Sequence, residues 1–132
     1  MYQVLADNNG GYSFKIKAKE HSFTVDMKGE SGAAPPDVLL ASLASCIGVY
    51  LRKYAEGAKL NIEGFSVEAS ADFSKEQPVC FRKISVNIDL KGARLDERRL
   101  QAMLSFIKNC PVHNTLENAP QIEMKIGGAL DG

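Results

Sequence analysis

Apolar and polar residues alternate through the first quarter of the chain, with Tyr12, Phe14, Ile16 and Ala18 set against Ser13, Lys15 and Lys17. After a polar break at Lys19-Glu20-His21 the alternation resumes at Phe23, Val25 and Met27. A period of two is the mark of a strand with one covered face, so two strands are expected here. Tyr2 and Val4 predict a shorter strand before the Asn8-Asn9-Gly10-Gly11 turn. From Val38 to Leu51 nearly every residue is apolar or small. Pro35-Pro36 can open a helix there, because the first helical N–H groups lack partners anyway, and Asp37 suits its positive end. Such a helix has no solvated face and must be covered on more than one side. It is expected to end near Arg52-Lys53, with Gly57 as its cap.

Alternation returns at Phe65, Val67, Ala69, Ala71 and Phe73 and again at Ile84, Val86, Ile88 and Leu90, predicting a hairpin pair. Leu100, Met103, Leu104 and Ile107 then repeat at helical spacing behind Asp96, which predicts an amphipathic helix from about Asp96 to Lys108. Pro111 stops simple continuation and can itself open a short helix through Leu116, with Cys110 as its N-cap. Ile122, Met124 and Ile126 predict a closing strand. The expected order is βββ-α-ββ-α-α-β, an α+β arrangement without the regular strand–helix alternation of a doubly wound sheet. No internal repeat or linker divides the 132 residues, so one domain, residues 1–132, is expected.

Composition narrows the partners. Sixteen basic residues balance sixteen acidic ones, giving no long-range attraction for nucleic acid or an anionic membrane. No uninterrupted apolar run reaches the roughly 20 residues of a spanning helix, and the start Met1-Tyr2-Gln3-Val4 lacks a signal-peptide pattern, which points to the cytoplasm. Three cysteines cannot all pair within one chain, so at least one thiol is free.

The thiols carry the candidate chemistry. Cys46 lies well inside the apolar helix, beyond reach of its N-terminal dipole, and its position alone favours an inert packing residue over a nucleophile. Cys110 differs, because an N-cap site places N–H groups near the sulfur and His113 can turn back across one helical turn. Both effects favour thiolate, and for Cys110 reactivity and packing weigh equally. Zinc is disfavoured, since Cys110-x-x-His113 plus Cys46 leaves no second close Cys/His pair for a structural tetrahedral site. Cys80, in Pro78-Val79-Cys80-Phe81, reads as structural at the start of a strand, and His21 as solvent-facing. Motifs for acyl transfer, nucleotides and dinucleotides are missing.

Pro35-Pro36-Asp37-Val38-Leu39-Leu40-Ala41-Ser42-Leu43-Ala44-Ser45-Cys46 resembles the central-helix signature of the OsmC/Ohr superfamily, and Cys110-Pro111-Val112-His113-Asn114-Thr115-Leu116 resembles its second-cysteine motif. The resemblance implies an intertwined homodimer with buried central helices and thiol-dependent reduction of organic hydroperoxides and hydrogen peroxide. By it Cys46 is the peroxidatic thiol and Cys110 the resolving one, with an external dithiol as reductant and no metal or organic cofactor. The family's peroxidases pair the first thiol with an arginine from an early strand, held by a glutamate at the helix start. This chain has no arginine before Arg52 and has Asp37 at the helix start, leaving Lys15, Lys17 or Lys19 as the cation. A second reading keeps the fold and thiols in a non-enzymatic dimeric protein that senses redox state or binds a small ligand.

Overall fold

The computed structural model describes residues 1–128. Three strands come first: β1 (Leu5–Asp7), β2 (Ser13–Ala18) and β3 (His21–Asp26), antiparallel in the order β1-β2-β3. The register sets Phe14 opposite Val25 and Ile16 opposite Phe23, so the apolar alternation lies on one face. The first strand begins later than expected. Tyr2 and Val4 are exposed outside it, because the Asn8 turn fixes where pairing starts. Asn8 Nδ2 donates to the carbonyls of Gly11 and Ser13 at 3.1 and 2.9 Å, and Gly10 and Gly11 take the positive φ values of 116° and 67° that this loop demands. His21 belongs to β3, opposite Ala18, leaving Lys19 and Glu20 as the loop; Lys19 sits at φ 56°.

The junction into the long helix is tightly made. Asp26 accepts from Lys28 N at 2.9 Å, Ser31 N at 3.0 Å and Ser31 Oγ at 2.9 Å, bonds that favour its ionised form and hold its pKa below the usual value. Gly32 lies against the Thr24 carbonyl with no space for a Cβ. Helix α1 (Pro35–Gly57) follows, and Ala58 rather than Gly57 is its C-cap. The helix runs a turn past Arg52 because Arg52 is drawn inward: its guanidinium donates to the Ile62 and Glu63 carbonyls at 2.7 and 3.1 Å and stacks over Phe65.

By length and composition α1 could cross a membrane. It serves instead as the central rod of a packed core. Leu43, Ile47, Leu51 and Ala55, one turn apart, form a buried line against the second sheet, β4 (Ser66–Ser70) paired antiparallel with β5 (Ser85–Asp89), and against α2 (Glu97–Ile107). From α2 come Met103 and Ile107, while Phe106 packs its ring against Tyr50 and Tyr54. The opposite side of α1 is open, with Val49 exposed, and Leu39, one turn ahead of Leu43, is exposed as well. Ser42 and Ser45 on that side return their hydroxyls to the Leu39 and Ala41 carbonyls, so they do not make it a polar face.

Asp96 caps α2 by accepting from Arg99 N at 2.8 Å, and α3 (Pro111–Glu117) starts at Pro111 as its ring geometry requires. The closing strand does not form within the described residues. Ile122, Met124 and Ile126 keep their alternation but lie in extended chain, 71%, 87% and 86% exposed. A strand needs a neighbour to take its N–H and C=O groups, and among the described residues the segment has none.

Candidate functional site

Helices α1 and α3 bring Cys46 and Cys110 together. Cys46 projects from the middle of α1, half-buried, onto the same core that encloses Cys110. Cys110 is 0% exposed, and the Cys46 thiol is near enough to act on it, raising its pKa. Both sulfurs are free thiols. Their approach follows from the fold: α1 supplies Leu43 and Ile47 on either side of Cys46, and the turn from Ile107 into Pro111 lays Cys110 back across that surface.

The capping position of Cys110 is as expected, its charge preference is not. Its sulfur accepts from His113 N at 3.4 Å, and the N–H groups of His113 and Val112 favour thiolate. Burial acts the other way and is the largest influence; the Cys46 thiol adds to it, and the net effect raises the Cys110 pKa. The His113 ring does not supply the balance. Its Nε2 faces Glu117 Oε1 at 3.6 Å, and Nδ1 is buried without a hydrogen-bond partner. Cys110 is therefore a protonated, shielded thiol at neutral pH. Iodoacetamide labelling followed site by site in peptides should find Cys110 at least about tenfold slower than in the unfolded chain at pH 7, and still accelerating above about pH 8.5.

The other candidates are dispersed. Asp37 Oδ2 accepts from Ala34 N at 3.1 Å and closes a capping box at the start of α1. Lys17 pairs with Asp7 at 3.4 Å across β1 and β2, and Lys15 is exposed on the same strand. Among the described residues the ion pairs are that one and His113–Glu117, so within a single chain neither lysine is paired beside the thiols. Cys80 is half-buried in the connection between β4 and β5 rather than at a strand start. Ser74 N donates to its carbonyl at 2.8 Å, and the stacked rings of Phe73 and Phe81 pin the loop closed. No cluster of three or more His, Cys, Asp or Glu side chains able to hold a metal occurs among the described residues.

A cavity of 480 Å³ opens between α1, β5, α2 and α3, and no sequence signal announced it because its walls come from four separate stretches of the chain. Neither Cys46 nor Cys110 lines it.

This arrangement of strands and helices around a cysteine-bearing central rod defines the class. Residues 15–125 match the profile of the OsmC-like protein family, and the chain belongs to that family. Among solved structures it is similar to an OsmC-like protein from Mycoplasma pneumoniae, with a TM-score of 0.78 at 21% identity, covering 90% of this chain and 89% of that one. It is also similar to an osmotic stress induced and detoxification response protein from Psychrobacter arcticus, with a TM-score of 0.74 at 20% identity over 87% and 88% of the two chains. The organic hydroperoxide resistance protein OhrB of Bacillus subtilis matches with a TM-score of 0.62 at 21% identity, over 90% and 92%. Comparison with curated proteins gives no match.

Proposed function

We propose that this protein reduces organic hydroperoxides, and hydrogen peroxide, through Cys46 and Cys110, in defence against oxidative stress. The observation that carries the reading is the meeting of two free thiols from separate helices, one half-open and one sealed. The names borne by the hydroperoxide resistance proteins of Bacillus subtilis and Legionella pneumophila, whose folds this chain shares, support it.

Cys46, as thiolate, attacks the distal oxygen of the hydroperoxide. The S–O bond forms as the O–O bond breaks, the alcohol leaves with a proton, and Cys46 becomes a sulfenic acid. The Cys110 sulfur then attacks the Cys46 sulfur; the S–S bond forms, the S–O bond breaks and water departs with the Cys110 proton. An external dithiol returns both thiols by exchange, carrying two electrons and two protons, so sulfur alone performs the redox chemistry. The raised Cys110 pKa suits this order, because a neutral resolving thiol does not compete for the peroxide. A thiolate nucleophile is stabilised by a positive neighbour. Lys15 or Lys17 takes that part, with Asp37 and His113 in support.

The protein works as a cytoplasmic homodimer. The apolar residues left open on one chain, Leu5 on the first sheet with Tyr2, Val4 and Tyr12 beside it, Leu39 and Val49 on α1, and Ile122, Met124 and Ile126, exceed what a monomer tolerates, and a second copy of the chain is the partner that would cover them. Sedimentation at micromolar concentration should find dimers only; a stable folded monomer contradicts this.

A second reading is a dimeric OsmC-like protein that senses redox state or binds a small ligand without peroxidase activity. It draws on Arg52, the first arginine of the chain, being tied to two backbone carbonyls rather than to the thiols. Consumption of an alkyl hydroperoxide in the presence of dithiothreitol or a lipoyl dithiol decides between them: turnover supports the first reading, and its absence with every dithiol supports the second.

A further inference from the structure

We propose that the 480 Å³ cavity between α1, β5, α2 and α3 is a binding site for a small amphipathic anion, an alkyl chain ending in a carboxylate, with neither thiol among its lining residues. Its volume lies within the roughly 300–1,000 Å³ of small-molecule sites. Ile47, Val86, Ile88, Leu104, Ile107 and Leu116 make an apolar lining without a backbone strand or helix to fill it. That lining accounts for a tail. The charge at the walls accounts for the head: Arg82, Lys83 and Lys108 stand there against one acid, Glu117, whose carboxylate already faces His113 Nε2 at 3.6 Å.

Arg82 and Lys83 also line a second, polar recess of 390 Å³ next to the first, together with Ser70, Ser74, Ser85 and Asp72. The two cations thus stand between an apolar hollow and a hydroxyl-lined one, the order in which an amphipathic anion presents its parts. Arg82 is braced for the role, since one of its nitrogens donates to the Pro78 carbonyl at 3.2 Å and leaves the other donors of the fork for a carboxylate. Among the described residues neither Lys83 nor Lys108 forms an ion pair. The site goes beyond the peroxide chemistry and is tested without peroxide, so either can fail alone.

Calorimetric titration of the full-length, dithiothreitol-reduced protein with decanoate below its micelle concentration tests the proposal. Decanoate should bind saturably at one site per chain, decanol about tenfold or more weaker, and acetate and inorganic phosphate far weaker than decanoate. Arg82→Gln and Lys83→Gln should each weaken decanoate about tenfold. Leu104→Trp, which fills the cavity from an exposed helix position, should abolish binding with the circular dichroism spectrum unchanged, whereas Lys28→Gln in the turn after β3 should retain it. Non-saturable heats, equal affinity for decanol or phosphate, or wild-type affinity in both cation variants or in folded Leu104→Trp would overturn it.

Discussion

Replacing Cys46 with serine should reduce hydroperoxide consumption to the uncatalysed background, while replacing Cys110 should permit one oxidation per chain and then stop. The asymmetry follows from the two steps. A serine hydroxyl has neither the acidity nor the nucleophilicity of a thiolate and cannot carry the sulfenic acid, so Cys46→Ser removes the first bond-making event. Cys110→Ser leaves that event intact and removes the sulfur that would displace water from it, so the sulfenic acid accumulates in the absence of reductant. Cys80→Ser should leave the rate near wild type, because Cys80 is held in the β4–β5 connection by Ser74 and the Phe73–Phe81 stack. Rapid mixing with an alkyl hydroperoxide, followed by peroxide loss and by mass of the protein, distinguishes all three. If Cys46→Ser consumed peroxide as fast as wild type, the assignment of roles would be wrong.

Truncating Leu51 to alanine should have the largest effect on stability of any single core change. Leu51 is 0% exposed, midway along the buried line of α1 and within the same cluster as Ile62, Met103 and Ile107. Its removal costs the transfer of the lost atoms and leaves a cavity that neighbours on a long helix and an anchored sheet cannot collapse into, a loss of about 2–5 kcal/mol. The midpoint of thermal unfolding should fall on the order of 10 °C. Val49→Ala, about half a turn round on the open side of α1, should cost the isolated chain much less, and a Leu51→Ala loss as small as that would mean the core is centred elsewhere.

The two motifs carried most of what the sequence disclosed. Pro111 alone dictates where α2 must stop and α3 begin, which makes Cys110 a capping residue, and Asp96 marks the start of α2 in the same local way. The membership in the OsmC-like family rests on the long pattern around Cys46 and Cys110 and is matched over residues 15–125. What stayed hidden depends on residues far apart. The sign of the Cys110 pKa is set by burial beneath α1, and nothing within a few residues of Cys110 reports that burial. His113 looked like a partner for the sulfur by spacing, yet only its N–H reaches it while the ring turns to Glu117. Ile122, Met124 and Ile126 have the period of a strand, but alternation records which face is apolar and not whether a neighbouring strand exists to pair with.

The paired thiols are the centre of the account, and a titration without reductant tests them most directly. Fully reduced protein should consume one equivalent of alkyl hydroperoxide per chain, and peptide mapping should then find a single disulfide joining Cys46 to Cys110, with Cys80 still alkylatable. Protein that leaves the hydroperoxide unreacted, or that oxidises without linking those two cysteines, would contradict it.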